Sequence, residues 1–199
     1  RDAFAPLIQM EHEAIKNKNL EVLACILEYG SVEVFNLEHN LSCLSDQLRM
    51  VNNKLIKTGL SNELSLISRY YGGVYFSYKQ AVEIDIILET IHKSFPSNHR
   101  DLYLAALLGT ASDIVDTVGK HFAQPIKARD AKGKIKSTVY NKAVKDKTID
   151  VIALYKDWLL KYKSLTKNDL CHSTMQGDFE NCLRNLPDNV RTVYADPPY

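Results

Sequence analysis

Residues 192–199 constrain the fold most, because they join a strand signal to a hard stop. Val190, Thr192, Val193 and Tyr194 make a short β-favouring run that ends in Asp196-Pro197-Pro198-Tyr199. Two consecutive prolines hold φ at about −65° and supply no N–H, so strand pairing ends and the carbonyls are left free. A carboxylate, a rigid carbonyl and an aromatic ring thus gather at the end of a predicted strand. In open α/β sheets, ligands bind in the crevice beyond the carboxyl ends of strands.

A second motif lies upstream. Met175-Gln176-Gly177-Asp178-Phe179 places a turn at Gly177 and a capping carboxylate at Asp178. The short helix that follows carries an apolar face of Phe179, Cys182, Leu183 and Leu186. With a strand over residues 170–174 and another over 190–194, the spacing predicts a β-α-β unit.

These two motifs together resemble those of the S-adenosylmethionine-dependent DNA amino-methyltransferases, in particular the adenine-N6 enzymes of bacterial restriction-modification systems. The resemblance implies a catalytic site at Asp196, Pro197, Pro198 and Tyr199. The Asp196 carboxylate and the Pro197 carbonyl would accept the two protons of an exocyclic amine, and Tyr199 would stack on a base turned out of the duplex. It implies that Asp178 and Phe179 hold the adenine of S-adenosylmethionine. It also implies an α/β fold, predominantly helical, forming part of a Rossmann-like methyltransferase domain with a helical DNA-recognition insertion. The resemblance covers residues 70–199, and the sequence departs from the family in having no Phe-x-Gly-x-Gly loop for the methionine end of the cofactor. With Arg1 first and the motif last, we expect a fragment whose remaining parts lie elsewhere in the same enzyme, inactive alone. Other readings stay open: a cytosine-N4, RNA or protein-glutamine methyltransferase, or a non-catalytic helical module for DNA binding or subunit docking.

A lysine-rich run by itself reads as a solvated loop, but its place between the apolar helix and the two motifs points to a polyanion. Residues 120–150 hold nine basic residues against three aspartates, a local excess of six positive charges in a chain whose total is +1. We therefore expect duplex DNA as a partner, with Lys120, His121, Gln124, Lys127, Arg129, Lys132, Lys134 and Lys136 as the contacting residues. The lysines would touch phosphates, while His121 and Gln124 are the candidates for base edges. Interleaved glycine, serine and alanine predict a basic loop that is mobile until DNA orders it.

Periodicity organises the remainder. Residues 5–28 read as helix with a break near Asn17-Lys18-Asn19, residues 31–35 as a short strand, and 37–57 as helix stopped by Gly59. Tyr70-Tyr71-Gly72-Gly73 is a glycine turn rich in aromatics that leads into a helix through Ala81, Ile84, Ile87, Leu88 and Ile91, and its Ile84-Asp85 pair resembles one in the adenine-methylating family. Within the resemblance it is a cofactor-pocket wall or a DNA-facing surface; read from the residues, it is a packed aromatic turn, and these stay open. An apolar stripe from Leu104 to Val118 predicts a buried helix ending at Gly119, and residues 149–163 an amphipathic one. The expected organisation is a helical layer over 1–69, a target-recognition region over 70–168 and the start of the catalytic sheet over 169–199. Four scattered cysteines and no apolar run long enough to span a bilayer suggest a cytoplasmic, DNA-associated protein with neither metal site nor membrane anchor.

Overall fold

The computed structural model describes residues 2–38, 42–59, 62–117, 124–165 and 173–194. The chain divides into two compact units, residues 1–165 and 166–199.

The first unit is built from helices. They are α1 (Ala5–Lys16), α2 (Leu20–Tyr29), α3 (Val32–Glu38), α4 (Ser45–Thr58), α5 (Leu66–Tyr70), α6 (Tyr78–Ser94), α7 (Asp101–Ile114), α8 (Val139–Lys147) and α9 (Val151–Lys163). Their boundaries follow local chemistry. Lys18 takes a positive φ of 53° between α1 and α2, and the Asn19 side chain accepts from Val22 N to start α2. Gly59 ends α4 in the left-handed region at φ 60°. Ser77 and Gln80 close a reciprocal capping box on α6, and the Asp150 carboxylate caps α9.

Three apolar clusters hold this unit together. Phe4 and Leu7 pack with Ile26, Val32, Leu48, Val51, Leu55 and Tyr78, joining α1–α4 to the start of α6. Ile84, Ile87 and Ile91 of α6 meet Leu107 and Ile114 of α7 and Val151 of α9. Ala14, Leu23, Ala24 and Leu27 form a third cluster with Ala128 and Val139, which seats the basic segment on α1 and α2. α7 and α9 approach closely at Gly109, where a Cβ would stand 2.7 Å from Trp158 Cδ2. The Trp158 indole N–H donates to Asp113 Oδ2 at 2.8 Å, its ring stacks on Tyr162, and Lys161 lies 4.0 Å over its face.

Several expectations are corrected. The described residues are mostly helix, with isolated bridges and no sheet, so they do not support a Rossmann-like α/β fold. Residues 31–35 are the start of a helix, not a strand: the Ser31 hydroxyl accepts from Val34 N and donates to Arg69 O, a cap that outweighs the β-branched preference of Val32 and Val34. The helix expected over 37–57 begins at Ser45, behind a turn in which Ser45 Oγ accepts from Ser42 N. The apolar stripe of α7 stops as a helix at Ile114, because Asp116 N leaves the helix to bond Tyr75 O at 2.7 Å.

The second unit contains α10 (Phe179–Arg184), capped as expected by Asp178, whose Oδ1 accepts from Glu180 N and Asn181 N. No residue of α10 is buried, so its apolar face is not covered by the rest of the described unit. Residues 190–194 form no ladder among the described residues; Val190 N bonds Pro187 O at 3.0 Å instead. Residues 170–172 of the other expected strand lie outside the described residues.

Candidate nucleic-acid interface

Residues 126–136 of the basic segment form a hairpin seated on α1 and α2. Lys136 N bonds Ala128 O at 3.0 Å and Asp130 N bonds Lys134 O at 2.9 Å, with Gly133 at φ 78° in the turn. The Asp130 side chain fastens the tip by accepting from the amides of Lys132 and Lys134 at 2.8 and 3.0 Å. Alternation explains which residues are outside. Ile126 and Ala128 are buried, whereas Lys127 is exposed and Arg129 half-buried.

The tips of these side chains have different fates. Gln124, Lys127, Lys132, Lys134 and Lys136 are exposed, as are Lys142 and Lys145 on α8. Lys136 Nζ donates to Lys127 O at 2.9 Å, which folds that side chain back along the hairpin. Arg129 turns to α2. Its Nη2 meets Glu21 Oε2 at 2.7 Å, its Nε meets Glu28 Oε2 at 3.3 Å, and Nη1 donates to Gly133 O at 3.2 Å. The hydrogen bond and charge of Glu21, with Glu28 beside it, hold the guanidinium pKa further above its ordinary value. Lys120 and His121 lie outside the described residues, as do Asp196, Pro197, Pro198 and Tyr199.

Behind the hairpin, α8 ends on a lysine that faces inward. Lys147 is buried, with Nζ 3.3 Å from Glu11 Oε1 and donating to the Gly73 and Phe76 carbonyls at 2.7 and 3.3 Å. Glu11 Oε2 accepts from Tyr78 N at 2.8 Å. Burial pushes the Glu11 carboxyl above its ordinary pKa; Lys147 opposes that rise and nearby buried Asp116 adds to it. Gln80 completes the link, donating through Nε2 to Asp146 O and Ile149 O.

The same polar core fixes the aromatic glycine turn. Tyr78 is fully buried and donates to Gly30 O at 2.8 Å, while Gly73, at φ 79°, lies so close that a Cβ would stand 2.6 Å from the Tyr78 hydroxyl. Asp85 supplies the other support. Its carboxylate accepts from Ile67 N, Ser68 N and Ser68 Oγ at 2.9, 2.8 and 2.6 Å, so a residue of α6 caps the five-residue α5 that leads into the turn. Desolvation raises the Asp85 pKa despite those bonds. Tyr70 and Tyr71 are left exposed, with Tyr71 edge-on to Tyr75 at 5.6 Å.

In the second unit Asp178 and Phe179 are neighbours on an exposed helix start, Phe179 being 63% exposed. Asp178 Oδ1 accepts from the Glu180 and Asn181 amides at 3.0 and 3.3 Å.

Sequence reasoning missed Glu11, Glu21, Glu28 and the inward role of Lys147. Spacing held part of the signal: Leu7, Glu11 and Ala14 share one face of α1, and Val139, Ala143 and Lys147 recur every fourth residue on α8. Among the described residues no group of three or more His, Cys, Asp or Glu side chains is placed to hold a metal ion, and no helix is long and apolar enough to cross a membrane. No protein family, curated protein or solved structure matched this chain.

Proposed function

We propose that this chain contributes to a DNA methyltransferase that transfers the methyl group of S-adenosylmethionine to the N6 amine of adenine, in a bacterial restriction-modification setting. The observation that carries the reading is the pair Asp178-Phe179 and Asp196-Pro197-Pro198-Tyr199, eighteen residues apart in the order the family uses. An exocyclic amine is a poor nucleophile because its lone pair is delocalised into the ring. Accepting its two protons at Asp196 and the Pro197 carbonyl localises that pair, and Tyr199 gives the everted base a surface to stack on. The cofactor supplies an electrophilic methyl on a sulfonium. The Asp178 carboxylate and the exposed Phe179 ring suit its adenine end, and the missing Phe-x-Gly-x-Gly loop means that this chain's residues do not account for the rest. The basic hairpin is the DNA-positioning element in this reading, its lysines meeting phosphates.

The test is methyl transfer to an adenine-containing duplex by the full gene product, its Asp196→Ala variant and the 199-residue chain. We expect activity in the first and loss in the second; undiminished transfer by Asp196→Ala would remove the catalytic assignment. The helical first unit, with no sheet among its described residues, favours a second reading, a non-catalytic DNA-binding or docking module. Salt-dependent duplex binding without any S-adenosylmethionine binding by the full gene product would select it.

A further inference from the structure

The guanidinium of Arg129 was the natural candidate for a phosphate contact, since it sits among lysines on the basic hairpin. Its geometry argues otherwise. Nη2 and Nε are spent on Glu21 and Glu28, two carboxylates one pair of turns apart on α2, and Nη1 on the Gly133 carbonyl of its own hairpin. The Arg129 backbone amide donates to Glu28 Oε1 at 3.2 Å as well, so Glu28 grips both the main chain and the side chain of this residue. One side chain therefore joins the root of the hairpin, its tip and the helix beneath.

We propose that Arg129 is a positioning residue, held by Glu21 and Glu28, that fixes the angle at which the hairpin presents Lys127, Lys132 and Lys134 to nucleic acid phosphates. The inference rests on the DNA reading given above and assigns a role within it. It makes a prediction opposite to simple electrostatics. Glu21 and Glu28 are negative charges beside a polyanion site, so on charge alone their removal strengthens binding. If they hold the hairpin, their removal weakens it.

The experiment measures affinity of the chain for a fluorescein-labelled duplex across a salt series. Wild type is compared with Glu21→Gln/Glu28→Gln, Arg129→Gln, the triple variant and Lys132→Ala/Lys134→Ala. Glu21 is largely exposed, and an unchanged melting curve checks that each variant folds. We expect Glu21→Gln/Glu28→Gln to lose about fivefold or more in affinity, the scale of a typical coupling between sites. Arg129→Gln should lose a similar amount with its salt slope unchanged, and the triple variant should lose no more than either. Lys132→Ala/Lys134→Ala should lower the slope by about one for each lysine. Tighter binding by Glu21→Gln/Glu28→Gln, or a slope lowered by about one in Arg129→Gln, overturns the clamp and makes Arg129 a phosphate contact. A wild-type chain with no salt-dependent binding overturns the DNA reading and the clamp together, whereas lysine effects alone leave the DNA reading standing.

Discussion

Lys147 Nζ lies 3.3 Å from Glu11 Oε1, across 136 residues of sequence, with 0% and 4% of the two side chains exposed. The pair is enclosed beneath the glycine turn and bonded to its carbonyls. Removing one partner of a buried pair leaves the other charge without compensation, which costs about 3–5 kcal/mol. Lys147→Met should lose stability of that order in urea unfolding, and Glu11→Gln/Lys147→Met less than the two single losses combined. A Lys147→Met loss no greater than that of exposed Lys145→Met would show the pair to be idle.

Glu11 also gives a pH dependence of definite sign. Its pKa is raised in the folded protein above the ordinary 4.5, so the native state binds the proton more tightly than the unfolded chain. The resulting stability is complete below 4.5 and is lost as pH rises through the folded value. The stability of wild type relative to Glu11→Gln should therefore shrink as pH is raised from below 4.5. Denaturant midpoints at several pH values measure it, and an advantage that grew with pH would reverse the assignment.

Two glycines separate backbone strain from crowding. Gly73 and Gly133 have φ of 79° and 78°, but a Cβ at Gly73 would meet the Tyr78 hydroxyl at 2.6 Å while one at Gly133 meets nothing within 4 Å. Gly133→Ala should cost about 1 kcal/mol, the backbone penalty alone. Gly73→Ala should cost more by an overpacking contribution of about 1–3 kcal/mol. Equal melting temperatures for the two variants would contradict the close approach.

Gly109 and Trp158 make a comparable test between α7 and α9. Because Trp158 is the single tryptophan, its fluorescence reports this contact directly. Gly109→Ala should shift the emission and lower stability by about 1–3 kcal/mol, and pairing it with Trp158→Leu should recover part of that loss. Unaltered emission and stability in Gly109→Ala would mean that the helices do not meet here.

Asp85→Asn tests the cap that one helix lends another. The amide replaces an acceptor with a donor that faces Ser68 N or Ile67 N, a loss of about 1–3 kcal/mol for a buried group left unsatisfied. Amide exchange at Ile67 and Ser68 should accelerate more than exchange within α9. Equal acceleration in both places would point to a general loss of stability instead.

Local chemistry was the legible part. Asp178 announces a helix start, Gly59 a helix end and Asn17-Lys18-Asn19 a break, because each acts on backbone groups within three or four residues, whereas the caps at Ser77, Gln80 and Asp150 were passed over. Residues 31–35 were misread because the Ser31 cap also depends on Arg69, thirty-eight positions away. The charge of residues 120–150 was correctly counted, yet its disposition was hidden. Nothing adjacent to Arg129 reveals Glu21 and Glu28, about a hundred positions earlier, and Lys147 looks like any other lysine until Val139 and Ala143 are seen buried on the same face.

The seating of the basic finger has a practical outcome for limited proteolysis. Ala128 before its tip and Val139 after it lie in one apolar cluster with α1 and α2, whereas Lys132 is exposed and Gly133 has open space around it. Trypsin should nick the loop at Lys132 while the severed ends stay docked, so that the cut chain migrates as two bands under denaturing conditions and as one particle in native buffer.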